Sequence, residues 1–310
     1  MKRLFQYSSL CILLTACHAT TLNTSSAELG SKATLADLLE VIEQPGPIRF
    51  QKHLAATWAV DRSGLINLDH PKAVMDGLGA GEEQIELYVY TLDHPDYGVY
   101  IVDSGISESF RKPAENSDIG YLIGMAMNTD KLSVKKTTRE LSEEYEERLK
   151  GVFLTHIHLD HIMGLSDLPD DIPVYIGPGD AQLSAFMNLF TQGTTDRLLG
   201  SVDHLREWSF EPPTENTAGL IDIFGDGSVW ALHSPGHSPG STAYLVRTTK
   251  GSELLIGDVT HTRWGWLNGV EPGTFSDDVP RSVVSLRALK ALAERVPGLG
   301  VHPGHQSLQN

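Results

Sequence analysis

The chain has 310 residues, of which 40% are hydrophobic and 21% charged, an ordinary balance for a globular protein able to bury a sizeable core. The formal net charge of -16 argues against nucleic acid or an anionic membrane surface as partner, because phosphate is repelled rather than steered in. Small neutral or weakly charged substrates stay open.

Lys2 and Arg3 precede a brief apolar run, "LCILLTA" (10–16), the pattern of a secretory signal too short to span a bilayer as a helix. Its end, Leu14-Thr15-Ala16-Cys17, resembles the bacterial lipobox, in which the cysteine becomes the lipidated first residue of the mature protein. The expectation is therefore a signal over 1–16, a tether over 17–31 rich in Ser, Thr and Ala, and a single domain over 32–310. The mature protein would be held at the bacterial cell envelope through lipid on Cys17. A plain signal with Cys17 as an incidental thiol is the alternative. Cys11 would leave with the signal, so no disulfide and no cysteine ligand is available to the domain.

"KATLADLLEVIEQPGP" (32–47) has apolar residues at helical spacing and stops at Pro45-Gly46-Pro47, which predicts a short amphipathic helix. Strands are predicted at 53–60, 84–92 and 97–105. A charged helix over 137–150 then delivers the chain to a strand at "GVFLTH" (151–156). A strand over 171–177 is followed by a helix through "DAQLSAFMNLF" (180–190). In the second half, strands are predicted at 219–224, 228–233, 242–248 and 253–257, and a helix at 280–295 with Val283, Val284, Leu286, Leu289 and Leu292 as its core face. Two strand-rich halves flanked by helices suggest an α+β four-layer sandwich with a site between the sheets.

The stretch "THIHLDH" (155–161) places three histidines and an aspartate where a strand ends. His156 and His158 sit two apart and project to one side of an extended segment, while Asp160 and His161 follow where the chain turns toward a helix. Imidazole and carboxylate are zinc ligands, so the run reads as a metal site if the chain supplies the rest. His237 lies in the Pro/Gly loop "HSPGHSPGST", Asp258 ends the apolar run "ELLIGD", and His305 ends "GVHPGH". Together these make seven candidate ligands, enough for two ions.

With these motifs in place, the chain resembles the metallo-β-lactamase superfamily over most of 53–306. The resemblance implies an αβ/βα sandwich and two zinc ions, with iron or manganese as alternatives. It places His156, His158 and His237 on one metal and Asp160, His161 and His305 on the other, with Asp258 bridging. "YIVDSG" matches the family strand that ends in Asp-x-Gly, which makes Asp103 either a support behind a ligand or a turn cap. His53, His70, His94 and His204 read as surface or packing residues, and His233 and His302 receive no ligand role.

Water between two such ions ionises near neutral pH, which points to hydrolysis of an ester, lactone, amide or phosphoester. Asp160 is the candidate proton shuttle. The acidic surface disfavours RNA-processing branches, and no clear basic cluster suits glutathione thioesters. Lactonases that open acyl-homoserine lactones share the seven ligands but usually carry tyrosine three residues after the bridging aspartate. Here His261 stands at that position, where a neutral imidazole would donate a hydrogen bond to substrate. The expectation is a lipid-anchored dinuclear lactonase or esterase acting on a small molecule. Alternatives are a thioesterase, a phosphodiesterase or a non-catalytic metal-binding envelope protein. Trp264, Trp266 and the apolar segment 119–127 read as an acyl-chain lining; core or a homodimer contact is the alternative, and for 119–127 it weighs at least as much.

Overall fold

The computed structural model describes residues 17–211 and 219–308; the expected signal segment 1–16 lies outside them. The strands are β1 (Thr24–Ser26), β2 (Ser31–Ala33), β3 (Arg49–Asp61), β4 (Glu82–His94), β5 (Gly98–Val102), β6 (Ser133–Val134) and β7 (Leu149–Phe153). They continue with β8 (Val174–Ile176), β9 (Leu205–Glu207), β10 (Leu220–Asp222), β11 (Val229–His233), β12 (Thr242–Thr248), β13 (Gly251–Gly257) and β14 (Gly300–Pro303). They form an eight-stranded sheet in the order β1-β9-β8-β7-β5-β4-β3-β6 and a six-stranded sheet in the order β14-β13-β12-β11-β10-β2.

The four layers follow from side-chain alternation. On β4, Tyr88, Tyr90 and Leu92 enter the core between the sheets, in one cluster with Phe153 of β7 and with Ile221, Tyr244 and Val246 of the opposite sheet. Leu87 and Val89, on the opposite face, pack under the helices that contribute Leu141, Ile162 and Leu198. On β12 the same parity sends Tyr244 and Val246 inward, and Ala243 and Leu245 outward against Leu38, Leu286 and Leu289. Strands buried on both faces need nearly continuous apolar sequence, which is why these segments stand out without strict alternation.

Most predicted elements are present with shifted ends. The first helix is shorter than expected, Leu35–Val41, because Thr34 and Asp37 form a capping box that starts it late. The charged helix runs Thr138–Tyr145, again with a capping box, from Thr137 and Glu140. The long helix Val279–Arg295 buries Leu286, Leu289 and Leu292, whereas Val284 is exposed. No helix among the described residues is long and apolar enough to cross a membrane.

Two expectations are overturned. The helix predicted over 180–190 forms instead at Asn188–Leu199 and buries Thr194, Thr195, Leu198 and Leu199, so Phe186, Met187, Leu189 and Phe190 stay exposed.

The segment 17–31 is likewise no slack tether. β1 joins the first sheet parallel to β9, and β2 joins the second sheet antiparallel to β10. Ala19 is buried, and the Thr20 and Thr21 hydroxyls both donate to Asp196. Small hydroxylated residues suit flexible linkers by composition, but they also fit edge strands and find carboxylate acceptors.

Candidate metal centre

The site is built from strand ends. β5 and β7 are parallel neighbours in one sheet, and β13 and β14 are parallel neighbours in the other. Asp103 follows β5, His156 and His158 follow β7, Asp258 follows β13, and His305 lies two residues past β14. Side chains just beyond the carboxyl ends of parallel strands line the crevice in which layered α/β folds hold ligands. Asp160 and His161 start the short helix Leu159–Ile162, and His237 comes from the loop between β11 and β12.

The seven expected side chains converge in two groups. His156, His158 and His237 form one, and Asp160, His161, Asp258 and His305 the other, with ligand atoms within 4.8 Å of one another in each. In the first, His237 Nε2 lies 3.1 Å from His156 Nε2 and 2.8 Å from His158 Nδ1. Asp258 Oδ2 sits between the groups. It lies 3.7 Å from His156 Nε2, 3.5 Å from His237 Nε2, 3.3 Å from His161 Nε2 and 3.3 Å from His305 Nε2. Asp160 Oδ2 is 3.2 Å from His305 Nε2, and its side chain, at 20% exposure, is the more open of the two carboxylates.

The residues fit divalent metal on their own chemistry. Imidazole lone pairs facing one another at about 3 Å repel unless a proton or cation lies between them. His161 Nε2 and Asp258 Oδ1 are buried with no hydrogen-bond partner, a costly state for a nitrogen and a carboxylate oxygen aimed into one cleft. Nitrogen and carboxylate donors without thiolate are within zinc's usual ligand set.

Electrostatics divides the groups in the same way. Burial, reinforced by the neighbouring imidazoles, holds His156 and His237 well below the usual histidine range. Burial also lowers His158, against the pull of Asp160 and Asp258. In the carboxylate-bearing group burial is outweighed. Asp103, Asp258 and Asp160 raise His161 well above its usual value, and Asp258 and Asp160 push His305 up to about 10. Asp160 is lowered despite burial, mainly by His161 and His305.

Three of the rings are aimed by a contact on the far side. Asp103 Oδ2 lies 2.9 Å from His161 Nδ1, and the same carboxylate accepts from the Thr155 amide at 2.8 Å and the Thr155 hydroxyl at 3.0 Å. Of its two sequence readings, Asp103 thus makes the contact behind a candidate ligand, from a left-handed backbone at φ 56. His305 Nδ1 donates to the Glu86 carbonyl, 3.2 Å away, and His237 Nδ1 lies 3.2 Å from the Ser276 hydroxyl. Gly304 has no room for a side chain, since a Cβ there would overlap Asp258 Oδ1.

His261 is buried in the same cleft and forms a third possible ligand group with His237 and Asp258. Its Nδ1 lies 3.2 Å from the Leu65 carbonyl, which can only accept, so the ring hydrogen sits on Nδ1. Nε2, 3.2 Å from Asp258 Oδ2, is then a bare lone pair. The neutral donor role expected of His261 requires the opposite tautomer, and the Leu65 carbonyl works against it.

Sequence reasoning missed Asp180, which is fully buried in the turn four residues after β8. Its Oδ1 accepts from the Gly240 amide at 2.6 Å, in the loop that carries His237. Burial raises its pKa to about 7, with Glu207 adding to the rise; the Ser238 hydroxyl and the Gly240 and Ile157 amides oppose it. Ile157 stands between His156 and His158, so one carboxyl touches both loops of the three-histidine group. The only signal in the sequence was an acid straight after "GPG" at a strand end.

The histidines given no ligand role make other contacts. His53 meets Thr91, His70 caps the helix Pro71–Met75, His94 pairs with Asp226, and His204 pairs with Asp203. His233 contacts the Pro239 carbonyl and His302 pairs with Glu253. Trp266 is core, under Lys290, while Trp264 donates to Asp76. In the 119–127 segment Ile119 is buried, whereas Tyr121, Leu122 and Met125 are exposed.

The chain belongs to the metallo-beta-lactamase superfamily, whose family model matches residues 87–305. It is 31% identical over 158 residues to the N-acyl homoserine lactonase AttM of Azorhizobium caulinodans, covering 51% of this chain and 58% of that protein. To AttM of Rhizobium johnstonii it is 27% identical over 239 residues, covering 76% of this chain and 87% of the relative. Among solved structures, a quorum-quenching N-acyl homoserine lactone lactonase shares the fold with a TM-score of 0.59 at 18% identity, covering 85% of this chain and 94% of that one.

Proposed function

We propose that the chain is a dinuclear metal-dependent hydrolase that opens lactones of the N-acyl-homoserine type. The observation that carries this reading is the placement of Asp258 Oδ2 between a three-histidine group and a second group holding Asp160, His161 and His305. The lactonase relatives support the substrate class. His156, His158 and His237 would hold one ion and Asp160, His161 and His305 the other, with Asp258 touching both. Zinc suits these donors best, and iron or manganese could take the same places.

Bound divalent metal supplies Lewis acidity at the substrate carbonyl and an ionised water near neutral pH. The chain's own groups do the rest. Hydrolysis of a lactone adds water across the ring C–O bond, so the departing ring oxygen needs a proton. Asp160, the more open carboxylate, is placed to pass one through Oδ2. Leu65 and Asp258 fix the His261 ring from opposite sides, which keeps Nε2 in the cleft. Asp103 fixes His161, and the glycine at 304 lets the Asp258 carboxylate lie close to the backbone. By this reading the protein is also held at the cell envelope by lipid on Cys17, the first described residue.

Elemental analysis of the purified protein tests the metal assignment, with about two ions per chain expected. Chelation should abolish ring opening, and added zinc should restore it. An active preparation with one ion or none would overturn the dinuclear reading. A metal-loaded protein that cleaves thioesters or phosphodiesters but opens no lactone would overturn the substrate.

A further inference from the structure

We infer that the surface formed by Phe186, Met187, Leu189 and Phe190 docks directly on a lipid bilayer of neutral headgroups, so that the domain sits on the membrane rather than hanging from it. This goes beyond a lipid on Cys17, and it rests on the envelope reading above for the presence of a bilayer.

The first ground is the surface itself. The four side chains are exposed by 63%, 60%, 44% and 59%, and the rings of Phe186 and Phe190 meet edge to face at 5.7 Å. A contiguous exposed apolar cluster of this kind marks a contact site. Residues 181–195 contain no Asp, Glu, Lys or Arg, in a chain where 21% of residues are charged. A surface that enters the headgroup region must avoid desolvating charge, and in a protein of net charge -16 an uncharged stretch also avoids repulsion.

The second ground is where the N-terminus leaves the domain. Cys17 bridges Ala185, the residue before Phe186, and its carbonyl accepts from the Asn188 side chain at 3.1 Å. The His18 carbonyl accepts from Gln192 at 2.9 Å. Beyond that point Ala19 is buried, Thr20 and Thr21 are bound to Asp196, and β1 is paired with β9. No leash exists between Cys17 and the domain. A lipid on Cys17 would therefore be attached beside Ala185, next to the exposed patch. Extended chain advances at most about 3.6 Å per residue, so a bilayer that holds this end lies against Phe186 and Phe190.

Amide hydrogen exchange of the full chain, with and without vesicles of phosphatidylcholine and phosphatidylethanolamine, tests the contact. Exchange over 185–192 should slow at least fivefold when vesicles are added. F186E/F190E should lose that slowing while keeping lactone turnover and melting temperature, because neither ring touches the metal cleft or the core. Intact mass separately reports whether Cys17 carries lipid, so an unlipidated Cys17 refutes the anchor without touching the docking result. Vesicle-bound protein with unchanged exchange over 185–192 would overturn the inference. Protection that appears without vesicles and grows with protein concentration would assign the patch to a second copy instead.

Discussion

The Leu65 carbonyl sets the tautomer of His261. It lies 3.2 Å from Nδ1, and because a carbonyl cannot donate, the single hydrogen of the neutral ring stays on that side. Nε2 then offers a lone pair 3.2 Å from Asp258 Oδ2. Two acceptors facing each other in a buried cleft call for a proton or a cation between them, and His237 beside them makes the trio a possible ligand group for a cation. His261→Phe should therefore weaken metal retention as well as turnover. Dialysis should leave less metal on the variant than on the parent, and lactone opening should fall at least tenfold, about 1.4 kcal/mol. Full metal content with the same loss of rate would return His261 to direct contact with substrate.

Asp103 supports His161 rather than any substrate, so its effect should appear in metal affinity. Asp103→Asn keeps an oxygen for His161 or Thr155 but removes the charge, and Asn tolerates the left-handed backbone found there. Competition with a chelator should show metal affinity reduced about 10–100-fold, the usual cost of losing such a partner. Asp258→Ala should be more severe, since that side chain reaches both groups. If Asp103→Asn changed turnover with metal affinity intact, the supporting role would be refuted.

The candidate ligands were legible in the sequence because metal chemistry admits few residue types, and the run at 155–161 with His237, Asp258 and His305 offers them in strand-end contexts. The sheets were legible because β4, β7, β12 and β13 are buried on both faces and must be apolar. What orients the site was not. Leu65 and Glu86 act through backbone carbonyls, which any residue would provide. Asp180 shows no pattern beyond one acid after a turn. The helix expected over 180–190 lies further on, at Asn188–Leu199, and half of its buried face is Thr194 and Thr195, which carry no apolar signal. The Ser/Thr stretch before residue 32 was misread because linker and edge-strand compositions overlap.

Gly304→Ala tests how tightly the Asp258 carboxylate is fitted. The added methyl would overlap Oδ1 and press on the Gly257 carbonyl, so the carboxylate would have to shift. Residues 300–303 of β14 are unaffected, so the fold should persist by circular dichroism. Turnover should fall at least tenfold, about 1.4 kcal/mol, with metal occupancy reduced. Parent-like turnover would mean that Asp258 can move without consequence.

Asp180 gives stability a pH dependence of known sign. Its folded pKa, about 7, lies above the ordinary carboxyl value of 3.8, chiefly because it is buried. Between those values the native state holds a proton that the unfolded chain has released, so stability falls as pH rises through this window and levels off above it. The full difference corresponds to at most roughly 4 kcal/mol. Asp180→Asn cannot ionise and still presents an oxygen to the Gly240 amide. With both proteins under the same metal loading, the melting temperature of the parent should drop relative to the variant by several degrees between pH 5 and pH 8. A constant difference in melting temperature across that range would mean that Asp180 is already ionised at pH 5 and that its burial is compensated in full.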